Sequence, residues 1–347
     1  MTTLIDPRDP LQIEFVVDLL KQKKPVALPS ETVYGLAALA HEEKALARIF
    51  ELKARPHFDP LIVHVLDYER AKPWIQGASP LHEKLCKRFW PGPLTLLFHK
   101  SSRIPDLCTA GSEWVALRSP SHADFRKVLE KIAPAALAAP SANRFASISP
   151  TTSVDVIKEL GPHGLEAVVE GGACEHGLES TVLKIHSEAE VEIVRPGALP
   201  AEMLREFLGP GVNVKVRDSG SGAIESESSH EAPGQHRIHY APSKPLYFVA
   251  PNGLAALLKE KNLHPSQGAL LEIFPANPPG LSKSSWAKSV CLSKNRSWTE
   301  AAAALFSDLR ALDGEPSVEF IVALEGSTES LGLAISDRLR RASAKSR

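Results

Sequence analysis

KARPHFDPLIVHV, residues 53–65, decides how the first half of this chain is read. LIVHV (61–65) predicts a strand with Leu61, Val63 and Val65 on one face and Ile62 and His64 on the other. Ahead of it, Pro56 biases Arg55 away from the helical region. Lys53 and Arg55 therefore read as an i, i+2 pair on extended backbone, aimed at one ligand. A second apolar run breaks at a proline in AALAAPSANRFASISPTTS (135–153), where Ser141 and Asn143 repeat the spacing. Two cations matched with a hydroxyl and an amide suit a polyanion such as a nucleoside triphosphate. Taken alone, the cations also suit a helix C-terminus and Ser141-Ala142-Asn143 suits a turn.

Outward from these runs, PVAL (25–28), LTLLF (94–98), WVALR (114–118), AALAA (135–139), AVVEG (167–171) and STVLKI (180–185) read as strands. HEEKALARIFELKA (41–54) is a predicted helix, with Ala45, Leu46, Ile49 and Phe50 at helical spacing. PLHEKLCKRFW (80–90) is another, stopped by Pro91-Gly92-Pro93. Further helices are predicted near 121–132 and 152–160. Strands outnumber helices and several are short and adjacent, which predicts a twisted mixed α/β sheet rather than a doubly wound one.

Residues 217–240 are rich in Ser, Gly and Glu and poor in apolar side chains, the composition of a linker. Beyond them PLYFVA, ALLEIF and VEFIVALE read as strands, with helices near 252–260, 297–311 and 331–342. The helix at 297 opens with Ser297-Trp298-Thr299-Glu300, a capping-box spacing. A smaller parallel, Rossmann-like α/β domain is expected there. The expected division is 1–208, a linker or lid over 209–240, and 241–347.

At 347 residues two domains are the better prior, and 43% hydrophobic with 23% charged residues is an ordinary globular composition. A formal net charge of −1 provides no global positive field for nucleic acid. The four cysteines, Cys86, Cys108, Cys174 and Cys291, have no zinc or disulfide spacing. No secretory pattern opens the chain and no run of about 18 apolar residues occurs, so a cytoplasmic protein without membrane contact is expected. P-loop, dinucleotide-fingerprint, HExxH, GxSxG and kinase motifs are absent from the sequence.

PSETVYGLAALA (29–40), KARPHFDPLIVHV, WPGPLTLLF (90–98), VALRSP (115–120), APSANRFASISPTT (139–152), LESTVL (178–183) and VRPGALP (194–200) occur in this order. Together they resemble the YrdC domain of the threonylcarbamoyl-AMP synthases, over roughly residues 10–208. The linker, its HYAP (239–242) and the α/β tail resemble the long, two-domain form of that family. The resemblance implies a nucleotidyltransferase that makes L-threonylcarbamoyladenylate and pyrophosphate from L-threonine, bicarbonate and ATP. It implies Mg²⁺ as cofactor, with metal ligands unassigned. It also implies a downstream partner enzyme that transfers the threonylcarbamoyl group to tRNA, with weak tRNA contact by this chain an open point.

By resemblance, the nucleotide site falls on Arg55, Asp59, Ser141, Asn143, Ser149, Arg195 and Tyr240, with Lys53 and Arg55 as the catalytic cations. Ser149, just before the helix predicted at 152, suits a phosphate at that helix's positive end. The threonine site falls on Thr32, His64, Arg118, Ala138 and Ser180, with Arg118 the natural cation for a carboxylate. Telling threonine from serine by one methyl group is worth only about 1–3 kcal/mol, so some use of serine is expected. Many family members carry Asn where this chain has Asp59, and a carboxylate there is repelled by a triphosphate unless it meets Mg²⁺ or points at Lys53. Upstream of HYAP, Arg237-Ile238 also departs from the usual pattern, while Tyr240 matches. Two other readings are an RNA-binding module without catalysis and a carbamoyltransferase-like enzyme on the same domain; the paired cysteines that the latter's zinc fingers require are missing.

Overall fold

The computed structural model describes residues 1–217, 239–276 and 282–346. They form two compact units, one over 1–145, 149–175 and 179–217, the other over 146–148, 176–178 and the described residues from 239 onward. Among the described residues no helix is long and apolar enough to cross a membrane.

The first unit is a twelve-stranded mixed sheet. Its strands are β1 (Thr3–Ile5), β2 (Val26–Leu28), β3 (Gly35–Leu39), β4 (Ile62–His64), β5 (Ile75–Gln76) and β6 (Leu94–Lys100). They continue with β7 (Trp114–Arg118), β8 (Leu137–Ala138), β9 (Ala167–Val169), β10 (Thr181–Ser187), β11 (Glu190–Arg195) and β12 (Asn213–Val216). The order is β1-β9-β2-β3-β8-β4-β7-β6-β10-β11-β12, with β5 beside β6. Parallel pairs such as β4–β7 and β6–β10 mix with antiparallel pairs such as β6–β7 and β3–β8, as expected for a mixed sheet. β12 pairs with β11, so this sheet runs past the expected boundary at 208. The greater part of the expected linker, 218–238, lies outside the described residues.

Strand alternation gives the sheet two different faces. Leu61, Val63 and Val65 join Leu96, Leu117 and Leu183 in the main core, with Leu46 and Ile49 of the helix Glu43–Lys53 and Leu85 of the helix Pro80–Phe89. On the other face, Leu20 of the helix Pro10–Lys21 and Phe125 and Leu129 of the helix Ala123–Ile132 cluster with Val26, Leu28, Ala37 and Leu137. Further along this face Ile62, Leu97, Ala116, Val182 and Val194 make a small apolar floor. The expected strand 135–139 shrinks to two residues in ladder register, because Pro140 has no N–H to continue it.

The second unit has four parallel strands, β13 (Leu246–Val249), β14 (Gly268–Glu272), β15 (Lys288–Cys291) and β16 (Phe320–Leu324), in the order β13-β16-β14-β15. Helices Leu254–Glu260, Trp298–Gly314 and Gly332–Ser343 accompany them. The capping box at 297 forms by half. Ser297 Oγ accepts from Glu300 N at 3.3 Å, while the Glu300 carboxylate takes Ser293 Oγ at 2.7 Å instead of the N-cap amide.

The helix Glu43–Lys53 stops because Ala54 turns left-handed (φ 47°, ψ 43°), which lets Arg55 N–H reach back to Phe50 O at 3.0 Å. An exposed non-glycine residue in that conformation carries a steric cost. Ala54→Gly is expected to stabilise the protein by about 0.5–1 kcal/mol, read as a higher urea midpoint at unchanged slope. A lower midpoint would show that this turn is not strained.

Candidate active site

Lys53 is the last residue of its helix and only 1% exposed. Its Nζ donates to Ser141 O and Asn143 O, both at 2.5 Å, and its carbonyl accepts Phe145 N–H at 2.7 Å. One ammonium thus fixes the Ser141–Asn143 loop to the helix end, as a buried cation must when carbonyl oxygens replace its water. The extended-pair reading of Lys53 and Arg55 is therefore corrected: the left-handed Ala54 stands between them, and Lys53 is a helix end. Burial drives the Lys53 ammonium well below the ordinary lysine range, with the Arg55 charge adding to the effect.

Arg55 has its own partners. Nε donates to Asp59 O at 3.1 Å, Nη2 donates to Pro60 O at 2.8 Å, and Nη2 lies 2.9 Å from Asp59 Oδ2. Asp59 thus faces a cation, and that cation is Arg55 rather than Lys53.

Tyr34 joins the next two loops. Its N–H donates to Pro150 O at 3.0 Å and its carbonyl accepts from Ala142 N–H at 2.8 Å, so SAN and SISP are held to one residue. The Tyr34 hydroxyl donates to Gly172 O at 2.9 Å and accepts from Gly171 N at 3.0 Å. Ser149, fully buried, donates through Oγ to the Glu179 carboxylate at 2.6 Å. The adjacent Ser180 accepts Arg195 three times, from Nε at 3.2 Å and Nη2 at 2.9 Å on its carbonyl and from Nη2 at 3.1 Å on its hydroxyl. Gly197 makes this approach possible: a Cβ there would lie 2.4 Å from Glu179 O.

The remaining candidates share one rung of the sheet. Register pairs run Leu137–His64, His64–Arg118, Arg118–Thr95, Thr95–Val182 and Val182–Arg195. Cross-strand partners point to the same face, so His64, Arg118, Thr95 and Arg195 stand in a row beside the apolar floor. A bulge in β11 brings Arg195 into that row, because the ladder skips Val194. Ser180 Oγ shares a 2.7 Å hydrogen bond with Thr95 Oγ1. Arg118 donates through Nε to Gly92 O at 3.1 Å and through Nη1 to Thr32 Oγ1 at 2.8 Å, and its Nη2 lies 2.6 Å from Glu31 Oε1. Ala138 differs: its side chain packs in the main core with Val63, on the opposite face from His64, so only its backbone can serve a ligand on the His64 face.

Burial and the neighbouring Arg118 charge lower the His64 pKa to about 3, which leaves it neutral at ordinary pH. Burial alone would raise the Glu31 carboxyl; the charge and hydrogen bond of Arg118 outweigh it, and the net shift is downward. Tyr240 belongs to the second unit, where its buried ring lies 5.5 Å from Phe306 and 5.4 Å from the Arg338 guanidinium carbon. Glu31, Thr95, Tyr34 and Glu179 were missed as site residues in the sequence. All four lie inside the quoted motifs PSETVYGLAALA, WPGPLTLLF and LESTVL, and that was their available signal. The first unit thus offers two kinds of grip: Arg118 with Thr32, Ser180 and His64 suits a small carboxylate, and the polar loops with Arg55 and Arg195 suit phosphates.

Comparison with known proteins agrees with this layout. The Sua5/YciO/YrdC family model, described as telomere recombination, matches residues 18–197, and the model of the threonylcarbamoyl-AMP synthase C-terminal domain matches 199–344. The threonylcarbamoyl-AMP synthase of Pyrococcus abyssi is 33% identical over 99% of this chain and 98% of its own length. That of Bacillus subtilis is 33% identical over 99% and 95%. A crystal structure of P. abyssi Sua5 complexed with L-threonine superposes with a TM-score of 0.85 at 31% identity, covering 100% of this chain and 98% of that one. With both halves matched at full length and a fold that superposes throughout, the chain belongs to the Sua5/YciO/YrdC family, in the two-domain form of the threonylcarbamoyl-AMP synthases.

Proposed function

We propose that the chain joins L-threonine, bicarbonate and ATP into L-threonylcarbamoyladenylate with release of water, as the amine and bicarbonate form the carbamate, and of pyrophosphate. The product would feed a partner enzyme that modifies tRNA, in the cytoplasm. The observation that carries this reading is the sheet rung itself. It sets a carboxylate grip, Arg118 with Thr32, beside Thr95, Ser180 and Arg195, which continue through Glu179 to the Ser149 loop. The full-length relatives named for this reaction support it.

Charge and geometry supply the mechanism. Arg118 and Thr32 take the threonine carboxylate, and neutral His64 and Ser180 take the hydroxyl or carbamate end. Arg55, Arg195, Ser141, Asn143 and Ser149 hold phosphate oxygens, with Asp59 beside Arg55. Lys53 acts from behind by holding the SAN loop in place. The carbamate oxygen forms a bond to the α-phosphorus as the bond to pyrophosphate breaks, so the protein positions and neutralises but supplies no nucleophile. Mg²⁺ would arrive on the substrate phosphates, and the hard oxygens of Ser141 and Asn143, on the loop that Lys53 fixes, would hold it. Bound there, it would neutralise charge on the triphosphate.

Pyrophosphate release is expected to depend on L-threonine and to fall at least a hundredfold in Arg55→Ala. Background release from protein that still binds tRNA would favour the RNA-binding alternative. Arg118→Lys loses the planar fork, so the KM for threonine is expected to rise at least tenfold with the KM for ATP little changed. Because the His64 pKa lies near 3, the KM for threonine is expected to show no His64 titration between pH 5.5 and 8. A break near pH 6.5 that disappears in His64→Asn would show that His64 titrates as an ordinary histidine.

A further inference from the structure

Asp59 has no task in the mechanism above, yet it is among the most costly residues of the unit. Its carboxylate is fully buried, and among the described residues neither oxygen accepts a hydrogen bond with good geometry. What holds it is Arg55, itself 3% exposed, with Nη2 at 2.9 Å from Oδ2. The same guanidinium donates to the Asp59 and Pro60 carbonyls, and Asp59 N–H turns back to Pro56 O at 3.3 Å. The segment 55–60 is therefore a closed loop built around one ion pair.

We propose that Asp59 sets the affinity of this chain for the triphosphate by competing with it for Arg55. This rests on the reading that Arg55 binds ATP. A buried charge pair is neutral from outside, so an incoming polyanion meets a cation whose field is already spent on Asp59. Phosphate oxygens gain Arg55 only as far as the ion pair yields. An asparagine at 59 keeps the shape and an acceptor for Arg55 but removes the negative charge that Asp59 sets against it.

Asp59→Asn is expected to lower the KM for ATP about fivefold, and to lower the inhibition constant of inorganic pyrophosphate in parallel. The KM for threonine is expected to stay within twofold. A role in folding alone would move both constants together. An unchanged or raised KM for ATP overturns the proposal. If the variant does not fold, amide exchange in the wild-type protein decides. Inorganic tripolyphosphate is expected to speed exchange across 55–60 as Arg55 releases the loop carbonyls, and unchanged or slowed exchange overturns the proposal. Threonine-dependent pyrophosphate release by the wild type tests the parent reading separately. With that release intact, an unmoved KM removes only the role given to Asp59.

Discussion

A guanidinium buried in the middle of a sheet is the constraint around which the first unit is arranged. Arg118 is 4% exposed, and a charge that deep survives only when its donors are answered. The answers come from two separate segments, Glu31 and Thr32 from PSETVYGL and Gly92 O from WPGP, while His64 and Thr95 flank Arg118 in the ladder. Removing Glu31 would leave an uncompensated charge, which typically costs about 3–5 kcal/mol. The motifs that flank Arg118 therefore carry structural and binding duties at once. Burial first, and then the same Arg118 charge, keep His64 neutral.

A second buried cation plays a different part. Lys53 spends its ammonium on main-chain carbonyls and so holds a loop that has no ladder of its own. The backbone positions of Ser141 and Asn143 are thereby set by Lys53 and, through Ala142 between them, by Tyr34. Preorganising polar groups in this way is the general means by which a site stabilises charge without reorganising during the reaction.

Much of this was legible in the residues. The alternation in LIVHV placed His64 and Ile62 together and opposite Val63, and the structure has them so. Motifs with two polar residues beside a proline marked the loops that matter. Three things were hidden, each for a physical reason. The left-handed turn at Ala54 leaves no sign in the sequence, because alanine has no preference for it. The bulge at Val194 shifts Arg195 by one position, and strand alternation cannot foresee a ladder that skips a residue. Glu31 carried no mark of its role, because its partner lies 87 positions away, at Arg118.

The strand order has a consequence for how the protein is made. β1 waits for β9, and β8 inserts between β3 and β4, so the early strands cannot complete their ladders until residue 169 has been synthesised. The rung closes only with Arg195 on β11. At ordinary translation rates that is about 10–40 s after initiation. Until then the nascent chain carries β2, β3, β4 and β7 with open edges, and Lys53 waits for the carbonyls of Ser141 and Asn143. Such long-range pairing is slow to form and exposed to mispairing. A ribosome-bound intermediate of this chain is therefore a natural client for a holdase, and synonymous changes that alter elongation between codons 140 and 195 would change the yield of folded protein without changing a single side chain.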